Sequence, residues 1–279
     1  GGSPASLAYP PVGDPTCKTA PNPDLFSPHG IDIRPGPRPH LWQVAVVAHG
    51  QREAIELFVL SGPGRQALLV WQGCIPFPEG IAGNDVTFAP DGGIVATNYQ
   101  PTMEGLRGIW YSLKGGVLKR PTGDVLTWRP ETGWRHVPGT AGAGPNGVAV
   151  TPDGKWIVYA ESGSGPIRRV PFAGLAEGET PRTIETGGHP DNFSWTARGT
   201  LLNAVHTSSW AFTKCVFGQR PCRSGWSVIE IDPEAMTSKT LFSDDGATVG
   251  AVTAATEIAG RTYLAAIMSD RIGVWNPGP

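Results

Sequence analysis

Gly83-Asn84-Asp85-Val86-Thr87-Phe88-Ala89-Pro90-Asp91-Gly92-Gly93-Ile94-Val95-Ala96-Thr97 lines up with Pro145-Asn146-Gly147-Val148-Ala149-Val150-Thr151-Pro152-Asp153-Gly154-Lys155-Trp156-Ile157-Val158-Tyr159. Each runs as a polar residue, a short alternating strand, a Pro-Asp-Gly turn and a second strand, which is the pattern of a β-hairpin. Weaker versions begin at His29 (HGIDI, then LWQVAVVAH), at Asp191 (DNFSWTARGTLLNAVH) and near Gly250 (GAVTAATEIAGRTYLAAIM). Further strand candidates follow each hairpin, at 54–60, 123–128, 167–170, 227–231 and 272–275. Repeat starts at 29, 84, 146, 191 and 250 are separated by 55, 62, 45 and 59 residues. That spacing suits a four-stranded propeller blade plus a variable loop, and five such units are visible. A sandwich has no reason to repeat its strands in a fixed order. Helix is expected to be scarce, with one turn at 233–237 and nothing amphipathic that lasts three turns. Residues 1–24 are Pro-rich and read as an extended arm, with recognisable blades over 25–279 of a single domain spanning 1–279.

Composition agrees with this reading. Gly 38 and Pro 28 would point to low complexity on their own, but 39% hydrophobic residues and ten Trp give the chain ample material for a core. The Gly and Pro are therefore turn residues between many short strands. Twenty-two Lys and Arg against 24 Asp and Glu give a net charge of −2, with no basic run to neutralise a row of phosphates, so nucleic acid is not an expected partner. No stretch approaches the roughly 18 apolar residues of a membrane span, and the N-terminus lacks the features of a leader. A first residue other than Met is read as the trace of a removed segment.

Four cysteines allow two disulfides. Cys215 and Cys222 bracket a loop that closes readily, which leaves Cys17 with Cys74. Reduced structural thiols are the alternative, while a zinc site would want CxxC or paired His, neither of which is present. Disulfides would imply an oxidising compartment, so a secreted or periplasmic location is expected ahead of a cytoplasmic one.

In a propeller the inner strand of every blade begins at one face of the central tunnel. The first polar residues of the repeats, His29, Asn84, Asn146 and Asp191 with Asn192 beside it, should thus converge on one axis. Amide and carboxylate oxygens are the donors a hard cation such as calcium takes. A single Asn or Asp before a strand usually caps a turn. Recurrence at the same point of successive repeats favours the shared role.

The sequence resembles the SMP-30/gluconolactonase and paraoxonase group of six-bladed propellers. The resemblance rests on Phe26-Ser27-Pro28-His29-Gly30-Ile31, on Val46-Val47-Ala48-His49 followed by Ala54-Ile55-Glu56-Leu57-Phe58, on Gly83-Asn84-Asp85-Val86, on Pro145-Asn146-Gly147-Val148 and on His189-Pro190-Asp191-Asn192. It implies a six-bladed β-propeller with four-stranded blades, the first incomplete or missing here. It implies one catalytic calcium held by Asn84, Asn146, Asp191 and Asn192, and a second, structural calcium deeper in the tunnel near Asp85 and the carbonyl of Ile31. It also implies that His29 and His49 work beside the metal. Chemistry runs parallel: an imidazole near neutral pKa can take a proton from a water that attacks an ester or lactone carbonyl. His206, Trp195 and Tyr99 are expected to line the substrate pocket, although aromatic residues such as these, Trp42 and Trp210 more often fill the space between blades.

The group draws a Glu ligand from its first blade, and residues 1–24 contain no Glu. Glu79 and Glu161 are the acidic residues to examine as substitutes. The expectation is a calcium-dependent hydrolase of lactones or aryl and alkyl esters, with specificity set by the loops 98–122 and 207–226. The alternative is a metal-stabilised propeller that binds a protein or carbohydrate without turnover.

Overall fold

A computed structural model describes residues 12–102 and 104–276. Each sequence repeat folds into one antiparallel sheet whose strands neighbour one another in chain order. The first sheet comprises β1 (Phe26–Pro35), β2 (Leu41–Gly50), β3 (Ala54–Ser61) and β4 (Leu68–Pro76). The second comprises β5 (Ala82–Phe88), β6 (Ile94–Gln100), β7 (Asp124–Arg129) and β8 (Gly133–His136). The third is β9 (Pro145–Val150), β10 (Trp156–Glu161), β11 (Pro166–Pro171) and β12 (Arg182–Glu185). The fourth is β13 (His189–Trp195), β14 (Leu201–His206), β15 (Trp226–Asp232) and β16 (Thr237–Asp244). The fifth has three strands, β17 (Val252–Ile258), β18 (Arg261–Ala266) and β19 (Gly273–Trp275). The inner strands β1, β5, β9, β13 and β17 lie side by side in that order.

The core lies between adjacent blades. Val47, Ile55 and Ile75 of the first sheet meet Val86, Ile94 and Leu126 of the second, and Val158 and Ile167 of the third meet Leu201 and Ile231 of the fourth. Burial of each such side chain stabilises the fold by about 1.5–3 kcal/mol. The alternation of the strands thus serves two seams, with one face of each sheet packed on each neighbour.

The six-bladed expectation is corrected to five blades among the described residues. The count of repeats in the sequence already stood at five, and the sixth blade came only from the resemblance. Of the N-terminal arm, residues 1–11 lie outside the described residues, and 12–25 contribute no strand. Instead the Val12 N–H donates to Gln72 O and the Asp14 N–H to Cys74 O, so the arm runs along β4. Pro15, Pro21 and Pro23 cannot donate to a ladder, which accounts for the absence of a hairpin there. Cys17 and Cys74 are bridged with Cα atoms 5.6 Å apart, and Cys215 and Cys222 with Cα atoms 5.1 Å apart.

Helix is scarce, as expected, but the expectation that nothing amphipathic lasts three turns is corrected by a 12-residue helix. The loops after β6 and β14 fold into α1 (Gly105–Gly116) and α2 (Ser209–Val216), the second capped by Ser208 Oγ accepting the Ala211 N–H. Residues 233–236 form a turn, held by Asp232 Oδ1 accepting the N–H groups of Glu234 and Ala235.

Candidate active site

The pairing of every inner strand shifts near its start. The register breaks between Pro28 and Ile31 in β1, between Gly83 and Val86 in β5, between Pro145 and Val148 in β9, between Pro190 and Phe193 in β13 and between Val252 and Ala254 in β17. Besides Gly30, Asp85 and Gly147, six residues are released from the ladder: His29, Asn84, Asn146, Asp191, Asn192 and Thr253. A bulge of this kind bends a strand and re-aims its side chains. All six line a single cavity of about 660 Å³.

Two glycines allow the bulged segments to pack together. A Cβ on Gly30 would lie 2.4 Å from Asn84 O, and one on Gly147 would lie 2.4 Å from Asp191 O. The residue after His29 and the residue after Asn146 must therefore be small. Hydroxyl and amide side chains then clamp the bulges: Thr97 Oγ1 donates to Asn146 O at 2.6 Å, and Asn203 Nδ2 donates to Asp191 O at 2.7 Å.

The amide groups are oriented by their nitrogens. Asn84 Nδ2 donates to His29 Nε2 at 3.4 Å, and Asn192 Nδ2 donates to Thr253 O at 3.3 Å. The oxygens of Asn84, Asn146 and Asn192 are buried and have no hydrogen-bond partner. A buried acceptor left unmade costs about 1–3 kcal/mol, so three at one place call for a partner. Asp191 adds a carboxylate whose Oδ2 accepts from His206 Nε2 at 3.0 Å. Among the described residues no three His, Cys, Asp or Glu side chains gather in metal-binding geometry, so the donor set is amide oxygen plus one carboxylate. Hard, oxygen-only donors fit calcium, with water completing the six to eight positions it takes.

Beside these oxygens runs a chain of polar groups. His29 Nδ1 is 2.9 Å from His49 Nε2, and His49 Nδ1 is 2.8 Å from Glu53 Oε2. Glu53 can only accept when ionised, so it fixes His49 with its proton on Nδ1. His49 Nε2 then accepts from His29 Nδ1, which puts the lone pair of His29 on Nε2, the atom toward which Asn84 Nδ2 points at 3.4 Å. Burial, and secondarily the neighbouring His49, hold the His29 pKa below the usual imidazole value.

The remaining residues expected at the site are placed as follows. His206 and Tyr99 line the cavity, and the Phe212 ring of α2 packs against His206 at a tilt of 39° with ring centroids 4.3 Å apart. Trp195 packs in the seam between the third and fourth sheets, and Trp42 and Trp210 are exposed. Ile31 points outward from β1, and Asp85 is buried next to the cavity floor rather than lining it. The Asp85 carboxylate accepts from the Val148 N–H at 2.9 Å, and burial pushes its pKa up to about 8. Glu79 is exposed, and Glu161 is paired with Arg168; neither lines the cavity. Sequence reasoning missed Glu53 and His189. Glu53 is brought to His49 by the β2–β3 turn, four residues on, and carries no motif of its own. His189 lines the cavity and was visible in the HPDN segment, where its Nδ1 lies 2.7 Å from Ser162 O.

Fold and site together define a β-propeller whose inner strands bring amide oxygens, one carboxylate and two imidazoles to a shared cavity. No family model and no curated protein matches the chain. Among solved structures, a nidogen/laminin complex is similar with a TM-score of 0.50 and 12% identity, covering 80% of this chain and 75% of that one. Virginiamycin B lyase from Staphylococcus aureus follows with a TM-score of 0.48 and 13% identity over 92% of this chain and 72% of that one. A protein from Bacteroides uniformis assigned as a 6-phosphogluconolactonase has a TM-score of 0.46 and 13% identity, over 88% and 80%. At such identities the likeness concerns the fold alone.

Proposed function

We propose that this protein is a calcium-dependent hydrolase of lactones or of aryl and alkyl esters. The observation that carries the reading is the meeting of three unpartnered amide oxygens and the Asp191 carboxylate in the cavity that His29 Nε2 also faces. Asn84, Asn146, Asn192 and Asp191 would hold the ion. When bound, calcium supplies Lewis-acid polarisation of a carbonyl and stabilisation of the oxyanion.

The chain's own residues do the proton chemistry. His29, kept neutral by burial, accepts a proton at Nε2 from a water in the cavity that takes the place of the long contact from Asn84 Nδ2, and the positive charge that develops is shared through His49 toward Glu53. The walls formed by Tyr99, Phe212 and Val216 exclude water from an acyl chain or aromatic group. A second, structural ion beside Asp85 belongs to the same proposal, since a cation there would keep that buried carboxylate ionised. Two disulfides support a secreted or periplasmic location.

The test is calcium titration with phenyl acetate and a simple lactone as substrates. The reading requires a rise in Tm with calcium and hydrolysis that EDTA abolishes and calcium restores. His29→Gln should lower kcat by about a hundredfold or more while the calcium-induced rise in Tm persists. Stabilisation by calcium without turnover of either substrate would instead support a propeller that binds a protein or carbohydrate.

A further inference from the structure

Gly163 lines the cavity, and Lys119 Nζ donates to its carbonyl from the segment that follows α1. Lys119 holds a backbone φ of 53°, in the left-handed region that residues with a Cβ rarely adopt. Glycine or asparagine is the usual occupant just past a helix, where here the Leu118 N–H donates to Leu113 O and the Arg120 N–H to Lys114 O to close the last turn. A lysine there costs backbone energy that glycine would save, and strain of this kind collects at functional sites. An ammonium has three N–H donors, and the Gly163 carbonyl takes one of them. Lys119 is exposed and forms no ion pair among the described residues. Gly116, Ser162 and His189 line the cavity beside Gly163, so a full positive charge stands at its edge.

The surroundings leave that charge uncompensated. Residues 105–123 and 207–226, which bring α1 and α2 to the cavity, contain seven Lys and Arg and no Asp or Glu, in a chain whose total balance is −2. Glu104 stands at the far end of α1, about 18 Å along its axis. Asp191 is the only carboxylate that lines the cavity among the described residues, and in the hydrolase reading it belongs to the ion. A cleft edged by cations focuses its field and draws anions in. The type of cation narrows the choice of anion, because a phosphate is matched by a guanidinium fork and a lysine is a compact point charge. The fork of Arg220 is already engaged: Nη1 donates to Cys215 O at 2.8 Å and to Gln219 O at 2.9 Å, and Nη2 lies 3.3 Å from Met268 Sδ. One ammonium fits the single charge of a carboxylate.

We infer that the substrate of this cavity carries a carboxylate, and that Lys119 is the residue that selects for it. The inference rests on the reading of the cavity as the site of an ester or lactone hydrolase. The carbonyl to be attacked meets the floor, where His29 and the oxygens of Asn84, Asn146, Asn192 and Asp191 gather, and the carboxylate meets Lys119 Nζ at the edge. Neither group competes for the partners of the other.

The experiment compares 4-acetoxybenzoate with 4-acetoxybenzamide, which share their ester and their size and differ in one charge. With calcium present, and after correction for the rate of each ester with hydroxide, kcat/KM for the anion should exceed that for the amide by about tenfold through KM, and the gap should close as salt is added. Lys119→Met should remove the preference, and Lys119→Arg should keep most of it. Lys119→Gly should remove it as well while the Tm stays equal or rises, because glycine relieves the left-handed backbone. Equal rates on the two esters, or a preference that survives in both Lys119→Met and Lys119→Gly, would overturn the inference. Should neither ester be hydrolysed, calorimetric titration of 4-hydroxybenzoate and 4-hydroxybenzamide separates the two readings. Tighter binding of the anion, lost in Lys119→Met, would uphold the inference and sink the hydrolase; equal binding would overturn both.

Discussion

Buried oxygens in this propeller are treated in two opposite ways. Glu56 on β3 is fully buried, and each of its oxygens is occupied: Oε1 accepts from Arg52 Nε at 2.6 Å, and Oε2 from Trp71 Nε1 at 2.8 Å. Glu230 on β15 accepts from Thr200 Oγ1 at 2.6 Å and Arg198 Nη2 at 2.9 Å, and pairs with Lys239. At the cavity floor Asn84, Asn146 and Asn192 leave their oxygens with nothing. The same fold that satisfies its carboxylates in the sheets leaves neutral amide oxygens bare where five bulged strands meet. Asn98 and Asn203, on β6 and β14 away from the cavity, carry bare amide oxygens as well, so it is the gathering of three such oxygens beside a carboxylate in one cavity that points to a partner from outside the chain.

The comparison sharpens most under Asp191→Asn, which removes the only carboxylate from the floor while keeping an oxygen and the size of the side chain. Calcium affinity should fall by about a hundredfold or more, read by isothermal titration, with the Tm of the calcium-free protein little changed. Glu56→Ala comes next. It strands Arg52 and Trp71 Nε1 without their acceptor and should destabilise the protein by about 2–3 kcal/mol in urea unfolding, with or without calcium. Asn146→Leu should do the reverse. It replaces an unpartnered acceptor by an apolar group of similar volume, so the calcium-free protein should be unchanged or more stable by up to about 1 kcal/mol, and calcium should no longer raise its Tm fully. If Asn146→Leu destabilised the calcium-free protein as Glu56→Ala does, the two regions would not differ in kind.

The smallest expected effect is on the acid limb of stability. The Lys239 ammonium, then the Thr200 hydroxyl and Arg198, lower the Glu230 pKa from its ordinary 4.5 to about 2. A carboxyl depressed in the folded state stabilises the fold above its unfolded pKa, and that contribution is lost as pH falls through the folded value. Unfolding midpoints measured between about pH 5 and pH 2 should therefore fall less steeply in Glu230→Gln than in the natural protein.

The hairpins were legible because the Pro-Asp-Gly turns and the alternating strands state their own geometry. All five repeat starts fall on or at the head of an inner strand, and the convergence of His29, Asn84, Asn146, Asp191 and Asn192 followed from that alone. The blade count went astray where a resemblance displaced the count of repeats. The bulges were not legible, because a register shift depends on the partner strand as much as on the residues that slip out of it. The two helices escaped for a different reason. The apolar spacing of α1, at Leu106, Ile109, Trp110, Leu113 and Val117, stood in the sequence and was passed over; what the sequence does not carry is that this face looks outward while the inward face is glycine. Glu53 was hidden because its relation to His49 is made by a turn between strands and by no local pattern.

The central claim is that oxygens from separate strands meet around one ion, and a crystal structure grown with calcium, read by anomalous scattering, tests it most directly. The account predicts one ion on the cavity floor, with Asn84 Oδ1, Asn146 Oδ1, Asn192 Oδ1 and Asp191 all about 2.3–2.6 Å away. A floor without an ion, its three amide oxygens bonded to ordered water or turned to protein donors, would contradict it.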